Sequence, residues 1–360
     1  MIAKPVFLRY NDPDNSRDRG ITVVTIYDIA AKTGLSAATV SKVFNNYVGV
    51  SSKTREVVLK AAKAMDYTPN TNARALVTKK SWLISLLFSE DIGSGIAHPH
   101  FSGILQSAIT QVQSHGYDVV FVNKRLGQDD VSYLDHCRYR GVDGVLIAAG
   151  SHFTDEIQCV LDSDYTCVSV EEIYPNRHSV ISDNWSGTMQ ALEYLYFLGH
   201  RKIAHIAGPK KRLAGRERFE AYVSFLSQKG IPYNPKYVVE AEFFRKDEGF
   251  KASTELLQQC WDDMPTAIFA GYDELACAAK TVLQSRGFRI PKDMSIIGFD
   301  DLPISETPGI TTIRQDRRLI GQTAGDTLVK LIEGEEVGEP MVLRLPTKLI
   351  TRESCARLED

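Results

Sequence analysis

Residues 25–46 read TIYDIAAKTGLSAATVSKVFNN, and the reading of the whole chain turns on them. Ile26, Ile29 and Ala30 are apolar at helical spacing, and Gly34 offers the left-handed conformation in which helices commonly end. Ser36 supplies a hydroxyl cap to a second predicted helix, Ala37 to Asn45, with Val40, Val43 and Phe44 on its inner face. Ala37, Ala38, Ser41, Lys42 and Asn45 then face outward, and none of them is acidic. Two uses fit such a pair. One is an ordinary pair of core helices with a polar outer face. The other is a helix that enters the major groove of DNA, which accepts a small, neutral or basic face and repels an acidic one.

Charge distribution shifts the balance toward the second use. Residues 22–80 hold nine bases and three acids, although the 360-residue chain carries a net charge of -3. A basic module on an acidic body is what polyanion binding requires, because phosphate contacts supply much of the affinity for DNA. A third predicted helix lies in SSKTREVVLKAAKAMDY at 51–67, capped by Ser51 or Ser52. Val57, Val58, Ala61, Ala62 and Met65 form its expected buried stripe, and Tyr67, Thr68 and Pro69 end it. Next comes PNTNARALVTKK at 69–80, either a plain linker or a helix that forms only when something holds it. Leu76, apolar on a basic segment with no core nearby, suits a wedge between base pairs in the minor groove.

From Trp82 onward the texture changes. Apolar runs at 83–88, 119–122, 144–148, 167–170, 203–206, 267–269 and 295–298 alternate with amphipathic helical patterns. Such alternation predicts parallel sheets with helices on both faces. A break near Ser182 divides it into two similar lobes, and a cleft at the carboxyl ends of the strands is the expected ligand site.

Composition narrows the function classes. Hydrophobic residues make up 43% and charged residues 24%, the balance of a globular protein, and no apolar run approaches a membrane span. Met1 to Gly20 lacks the apolar core of a signal peptide, so a cytoplasmic location is expected. The six cysteines are scattered without a C-x-x-C pair and read as core residues, not as a zinc site or disulfide framework. There is no G-x-S-x-G elbow, no phosphate loop of the G-x-x-x-x-G-K type and no metal-spaced His/Cys cluster. Gly93-Ser94-Gly95 lacks the third glycine of a dinucleotide loop. No enzymatic activity, cofactor or metal is therefore expected. A solute-binding protein of a transport system is the alternative function, and the basic first module argues against it.

The chain also resembles the LacI/GalR family of bacterial transcription regulators, from Val23 to Ser354. Besides residues 25–46, the third helix and the linker ARAL, the resemblance rests on HPHF at 98–101, DN at 183–184 and LGHRKIAHIAGP at 198–209. It continues through RERFEAY at 216–222, YDELACAA at 272–279, IPKDMSIIGFDD at 290–301, TTIRQD at 311–316 and TKLITRES at 347–354. It implies a small all-α helix-turn-helix DNA-binding domain followed by an α/β two-lobed domain like the periplasmic binding proteins. The organisation expected is a disordered tail over 1–22, the DNA-binding domain over 23–68, a hinge over 69–80 and an effector-binding and dimerisation domain over 81–360. Within the last, the first lobe is expected over about 81–182 and 302–338, and the second over about 183–301 and 339–360.

The resemblance further implies a homodimer on a pseudo-palindromic operator and a sugar or nucleoside-like effector. Its DNA-facing set is Thr25, Tyr27, Ser36, Ala37, Ala38, Thr39, Ser41, Lys42, Asn45, Asn70, Ala73 and Leu76. Lys42 stands where the family usually has a guanine-reading arginine, and lysine lacks the planar fork. The implied effector-facing set is His100, Phe101, Glu171, Asn184, Arg218, Tyr272, Asp273 and Asp300, with Arg218 and Asp273 as the main polar pair. His100 departs from the aromatic residue commoner at its position.

Overall fold

The first helix begins where two reciprocal caps meet. In the computed structural model, Asp28 Oδ2 accepts from the Thr25 amide at 2.8 Å and from its hydroxyl at 2.7 Å, starting α1 (Ile26–Thr33). Gly34, at φ 70°, ends it. Ser36 Oγ accepts from the Thr39 amide at 3.1 Å and starts α2 (Ala37–Phe44); Ser51 does the same for α3 (Ser52–Ala64) through Thr54. Ile29, Val40, Val43, Val58 and Ala62 are buried together as one small core. Val57 departs from expectation. It is 44% exposed, because the two other helices cover only the side of α3 that carries Val58 and Ala62.

The structure describes residues 24–44, 47, 49–67, 80–89, 95–149, 155–243, 245–335 and 337–358, divided between a unit over 1–81 and a unit over 82–360. The expected tail over 1–22, most of the hinge segment with Asn70, Ala73 and Leu76, and Asn45 lie outside them.

The second unit opens with β1 (Leu83–Ser89), α4 (Pro99–Ser114), β2 (Asp118–Val122) and a short hairpin, β3 (Arg125–Leu126) with β4 (Asp129–Asp130). It continues with α5 (Tyr133–Arg140), β5 (Gly144–Ala149), α6 (Asp155–Leu161), β6 (Thr166–Val170) and β7 (His178–Ser182). The chain then crosses to α7 (Asn184–Phe197), β8 (Ile203–Ala207), α8 (Leu213–Gln228), β9 (Val238–Glu240) and α9 (Lys246–Gln259). After these come β10 (Ala267–Ala270), α10 (Asp273–Ser285), β11 (Ser295–Asp300), β12 (Thr311–Gln315), α11 (Arg317–Glu333), β13 (Val342–Leu345) and β14 (Thr347–Ile350).

These strands form two six-stranded sheets, ordered β13-β7-β6-β5-β1-β2 and β14-β12-β11-β10-β8-β9. All pairings in them are parallel except the antiparallel β12–β14 edge. Strands such as β8, buried at all five positions, are apolar on both faces because helices cover both.

The expected lobe boundaries need correction. Residues 302–315 were assigned to the first lobe, but β12 pairs with β11 and buries Ile313 in the core of the second. Residues 339–345 were assigned to the second lobe, but β13 pairs with β7 and sets Leu343 and Leu345 against the core of the first. Helix α11 sits between these segments and buries Ile320, Ala324 and Leu328 with α4 in the first lobe. The chain therefore crosses between lobes at Asp183, Asp316 and Pro346. Apolar periodicity shows that a segment is buried, not which of two similar sheets it joins.

Candidate functional site

The first unit presents α2 with Ala38 and Lys42 exposed and Ala37, Thr39 and Ser41 half-buried. Tyr27, on α1, is 71% exposed, and Thr25 and Ser36 are exposed at the helix starts. The Lys42 ammonium stands 6.0 Å from the ring centroid of Tyr47. Arg55 on α3 donates to the carbonyls of Val43 at 3.1 Å and Tyr47 at 3.3 Å, which ties down the carboxyl end of α2. The result is an exposed helix face bearing small side chains and one lysine, with no acid on it.

In the second unit a cleft lies at the carboxyl ends of strands from both sheets. The start of α4 supplies His100 and Phe101, held by His98, whose ring nitrogen accepts from the amides of both. The turn after β6 supplies Glu171, at φ 58°, and β11 ends on Asp300, at φ 121°. Two non-glycine residues in the positive-φ region at one cleft mark backbone strain where side chains have been aimed. Gly208 lets the ring of Tyr272 lie close, since a Cβ there would sit 2.1 Å from that ring.

Arg218 is the centre of this cleft. It is 2% exposed, donates from Nε to Asn184 Oδ1 at 3.0 Å and from Nη1 to the Gly271 carbonyl at 2.6 Å. Its guanidinium packs 3.7 Å from the ring centroid of Phe299 and 4.5 Å from that of Tyr272. Asp300 faces it at 3.5 Å and accepts from Gln315 Nε2 at 2.5 Å. Burial pushes the Asp300 carboxyl above the ordinary range, and the charge of Arg218 opposes that shift. Burial also opposes ionisation of Glu171, but the nearby His100 ring, at 3.8 Å, and the bond from Ser182 outweigh it and hold its carboxyl low. Glu274 is pushed up to about 7 by burial and by the charge of Asp300. Among the described residues, His100 Nδ1 and Gln315 Oε1 are buried without a hydrogen-bond partner, and both residues line the cleft.

Of the expected set, the cleft is lined by His100, Phe101, Glu171, Arg218, Tyr272 and Asp300. Asp273 is a correction. It is fully buried inside the second lobe, where Oδ1 accepts from Thr312 Oγ1 at 2.5 Å and Oδ2 from the Leu302 amide at 2.7 Å. There it ties the start of α10 to the loop after β11, so the carboxylate opposite Arg218 is Asp300. Asn184 is buried behind Arg218 rather than on the cleft wall. Glu274, Gln315 and Phe243 line the cleft and were missed. The strand-end rule would have found Gln315 and Phe243 had β12 and β9 been read as strands.

This fold and site define a class: a helix-turn-helix module joined to a two-lobed sensor body with an interlobe cleft. The family model described as "Bacterial regulatory proteins, lacI family" matches residues 25–70, and that described as "Periplasmic binding protein-like domain" matches residues 192–355. The HTH-type transcriptional regulator CelR of Thermobifida fusca is 34% identical, over 92% of this chain and 98% of its own. A structure of the CelR–cellobiose complex aligns over 92% of this chain and 99% of that one, with TM-score 0.67 and 32% identity. The lac repressor dimer bound to operator and the anti-inducer ONPF covers the same shares at TM-score 0.77 and 28% identity. The chain belongs to the lacI family of bacterial regulatory proteins. It is a DNA-binding transcriptional regulator, and these relatives are regulators rather than enzymes. Among the described residues no helix is long and apolar enough to cross a membrane.

Proposed function

We propose that this regulator is a cytoplasmic homodimer whose affinity for a pseudo-palindromic operator is set by a small neutral sugar held, and not chemically altered, in the interlobe cleft. The observation that carries the ligand reading is the polar lining of that cleft. Arg218 presents a donor fork, Asp300 and Glu171 present acceptors, and the unpartnered His100 Nδ1 and Gln315 Oε1 suit hydroxyl groups, which both donate and accept. Phe101, Phe243 and Tyr272 offer apolar faces to a sugar ring. The acids Glu171, Glu172, Glu242, Glu274 and Asp300 stand against the cations Lys211, Arg212 and Arg218 on the same lining, a mixed set that suits a neutral polyhydroxyl ligand. The cleft shares Glu274, Leu302 and Gln315 with an adjoining groove along Ile304, Arg314 and Arg317. A disaccharide such as cellobiose, found in the CelR complex, fits that description.

At the DNA, Ala37, Ala38, Ser41, Lys42 and Asn45 take the major-groove contacts. Thr25, Tyr27, Ser36 and Thr39 take the flanking backbone contacts, and Asn70, Ala73 and Leu76 the operator centre. The test is operator binding by fluorescence anisotropy across titrations with cellobiose and a panel of neutral and acidic sugars. A neutral sugar is expected to shift wild-type affinity at least fivefold, and to shift Arg218→Lys by less than twofold, since lysine cannot reach Asn184 and Gly271 together. Equal responses of the two proteins would place the ligand elsewhere.

A further inference from the structure

The three crossings between lobes share one chain of polar contacts, and Arg218 is its middle link. At its first-lobe end Arg344, on β13 just before the third crossing, forms a fork with Glu217 of α8 in the second lobe. The contacts are Nη1 to Oε2 at 3.0 Å and Nη2 to Oε1 at 2.6 Å. Glu217 Oε2 also accepts from Asn184 Nδ2 at 3.1 Å, and Asn184 opens α7 directly after the first crossing. Asn184 Oδ1 in turn receives Arg218 Nε at 3.0 Å. On the far side Arg218 meets Asp300 at 3.5 Å, and Asp300 receives Gln315, the last residue of β12 before the second crossing, at 2.5 Å. Asn184, Gln315 and Arg344 thus stand beside the first, second and third crossings, all joined through Arg218. The first and third crossings are also linked directly, by the Asp183 amide to the Leu345 carbonyl at 2.8 Å.

A surface ion pair contributes little by itself, but this one is not free in water. The Glu217 side chain is 13% exposed and bidentate, and its second acceptor role fixes the amide that holds Arg218. We infer that Glu217 and Arg344 are positioning residues that set the angle between the lobes and hand the state of Arg218 to the first lobe. The inference rests on Arg218 facing the ligand in the cleft. A ligand that draws the guanidinium forward loosens its grip on Asn184 and Asp300 together. All three crossings then feel one event, which is how a small displacement biases a two-state hinge.

The test needs no ligand, so its failure is separable from failure of the sugar reading. Hydrogen–deuterium exchange is measured on the full-length wild type, Glu217→Gln, Arg344→Met and the double variant. Arg344 is 40% exposed on an edge strand, so its replacement leaves the core untouched. Both single variants are expected to speed exchange at least threefold in residues 298–302 and 312–318, which neither mutated side chain contacts. The double variant should add nothing further, because each change breaks the same chain. Arg344→Lys, which keeps the charge without the fork, should restore part of the protection. Faster exchange confined to 213–221 and 341–347, or effects that add in the double variant, would overturn the inference.

Discussion

Glu274 and His205 show how single side chains set the pH range of this fold. Burial raises the Glu274 carboxyl from 4.5 to about 7. A folded-state value above the unfolded one means that its contribution is fully present below about 4.5 and is lost as pH rises through about 7. Glu274→Gln is therefore expected to gain on wild type by ~3 kcal/mol between pH 5 and 8, scaled at about 1.4 kcal/mol per pH unit. Denaturant unfolding at several pH values checks it, and a constant difference between the proteins would contradict it. His205 acts with opposite sign. Its ring is stacked on Phe269 at 4.7 Å and 7°, donates from Nδ1 to the Phe269 carbonyl, and is lowered to about 4 by burial. Its contribution is present above about 6.5 and is lost as pH falls toward 4, so wild type is expected to lose stability on the acid side as well. Arg218→Ala belongs at this scale too. Removing it leaves Asp300 buried without its cation, a loss of about 3–5 kcal/mol in unfolding experiments.

Among the elements, α2 is the one whose two faces have separate jobs. Its inner face holds Val40 and Val43 in a core of five buried side chains, so the module has little stability to spare. Val40→Ala is expected to cost roughly 1–3 kcal/mol. That should melt the first unit at a lower temperature in calorimetry while leaving the transition of the second unit in place. The outer face carries Lys42, exposed and without an acid beside it on the helix. Lys42→Ala should weaken specific operator binding by about 1–3 kcal/mol and leave binding to unrelated DNA within a few fold. Operator affinity equal to wild type would remove α2 from the groove.

The whole molecule adds coupling between sites. If a sugar changes operator affinity by some factor, operator DNA must change sugar affinity by the same factor, because both bias one equilibrium. Measuring cellobiose affinity with and without saturating operator, by calorimetry, checks the coupling: operator is expected to shift sugar affinity at least fivefold, and an unchanged affinity would show that the cleft and the DNA site are not coupled. Operator affinity should also fall steeply with salt, with a logarithmic slope proportional to the phosphates neutralised, because the basic excess is concentrated in residues 22–80.

Much of this was legible in the residues alone, wherever the cause was local. Gly34, Ser36 and Ser51 mark helix ends through local backbone conformation or bonds made within four residues, so the three-helix module could be read from its text. Buried parallel strands such as β8 also announce themselves, as apolar runs, because a strand covered on both faces must be apolar along its length whichever helices cover it. Tertiary structure decided what depends on partners distant in sequence. Val57 and Val58 are the same residue type one position apart, and only the packing of α3 chooses which is covered. Asp273 opens a helix and Asp300 ends a strand, both acids in strand-to-helix connections of the second lobe, yet Thr312 and the Leu302 amide draw the first inward while Arg218 and Gln315 hold the second at the cleft. Which sheet receives β12 and β13 is likewise settled by long-range pairing, and no local pattern of side chains records it.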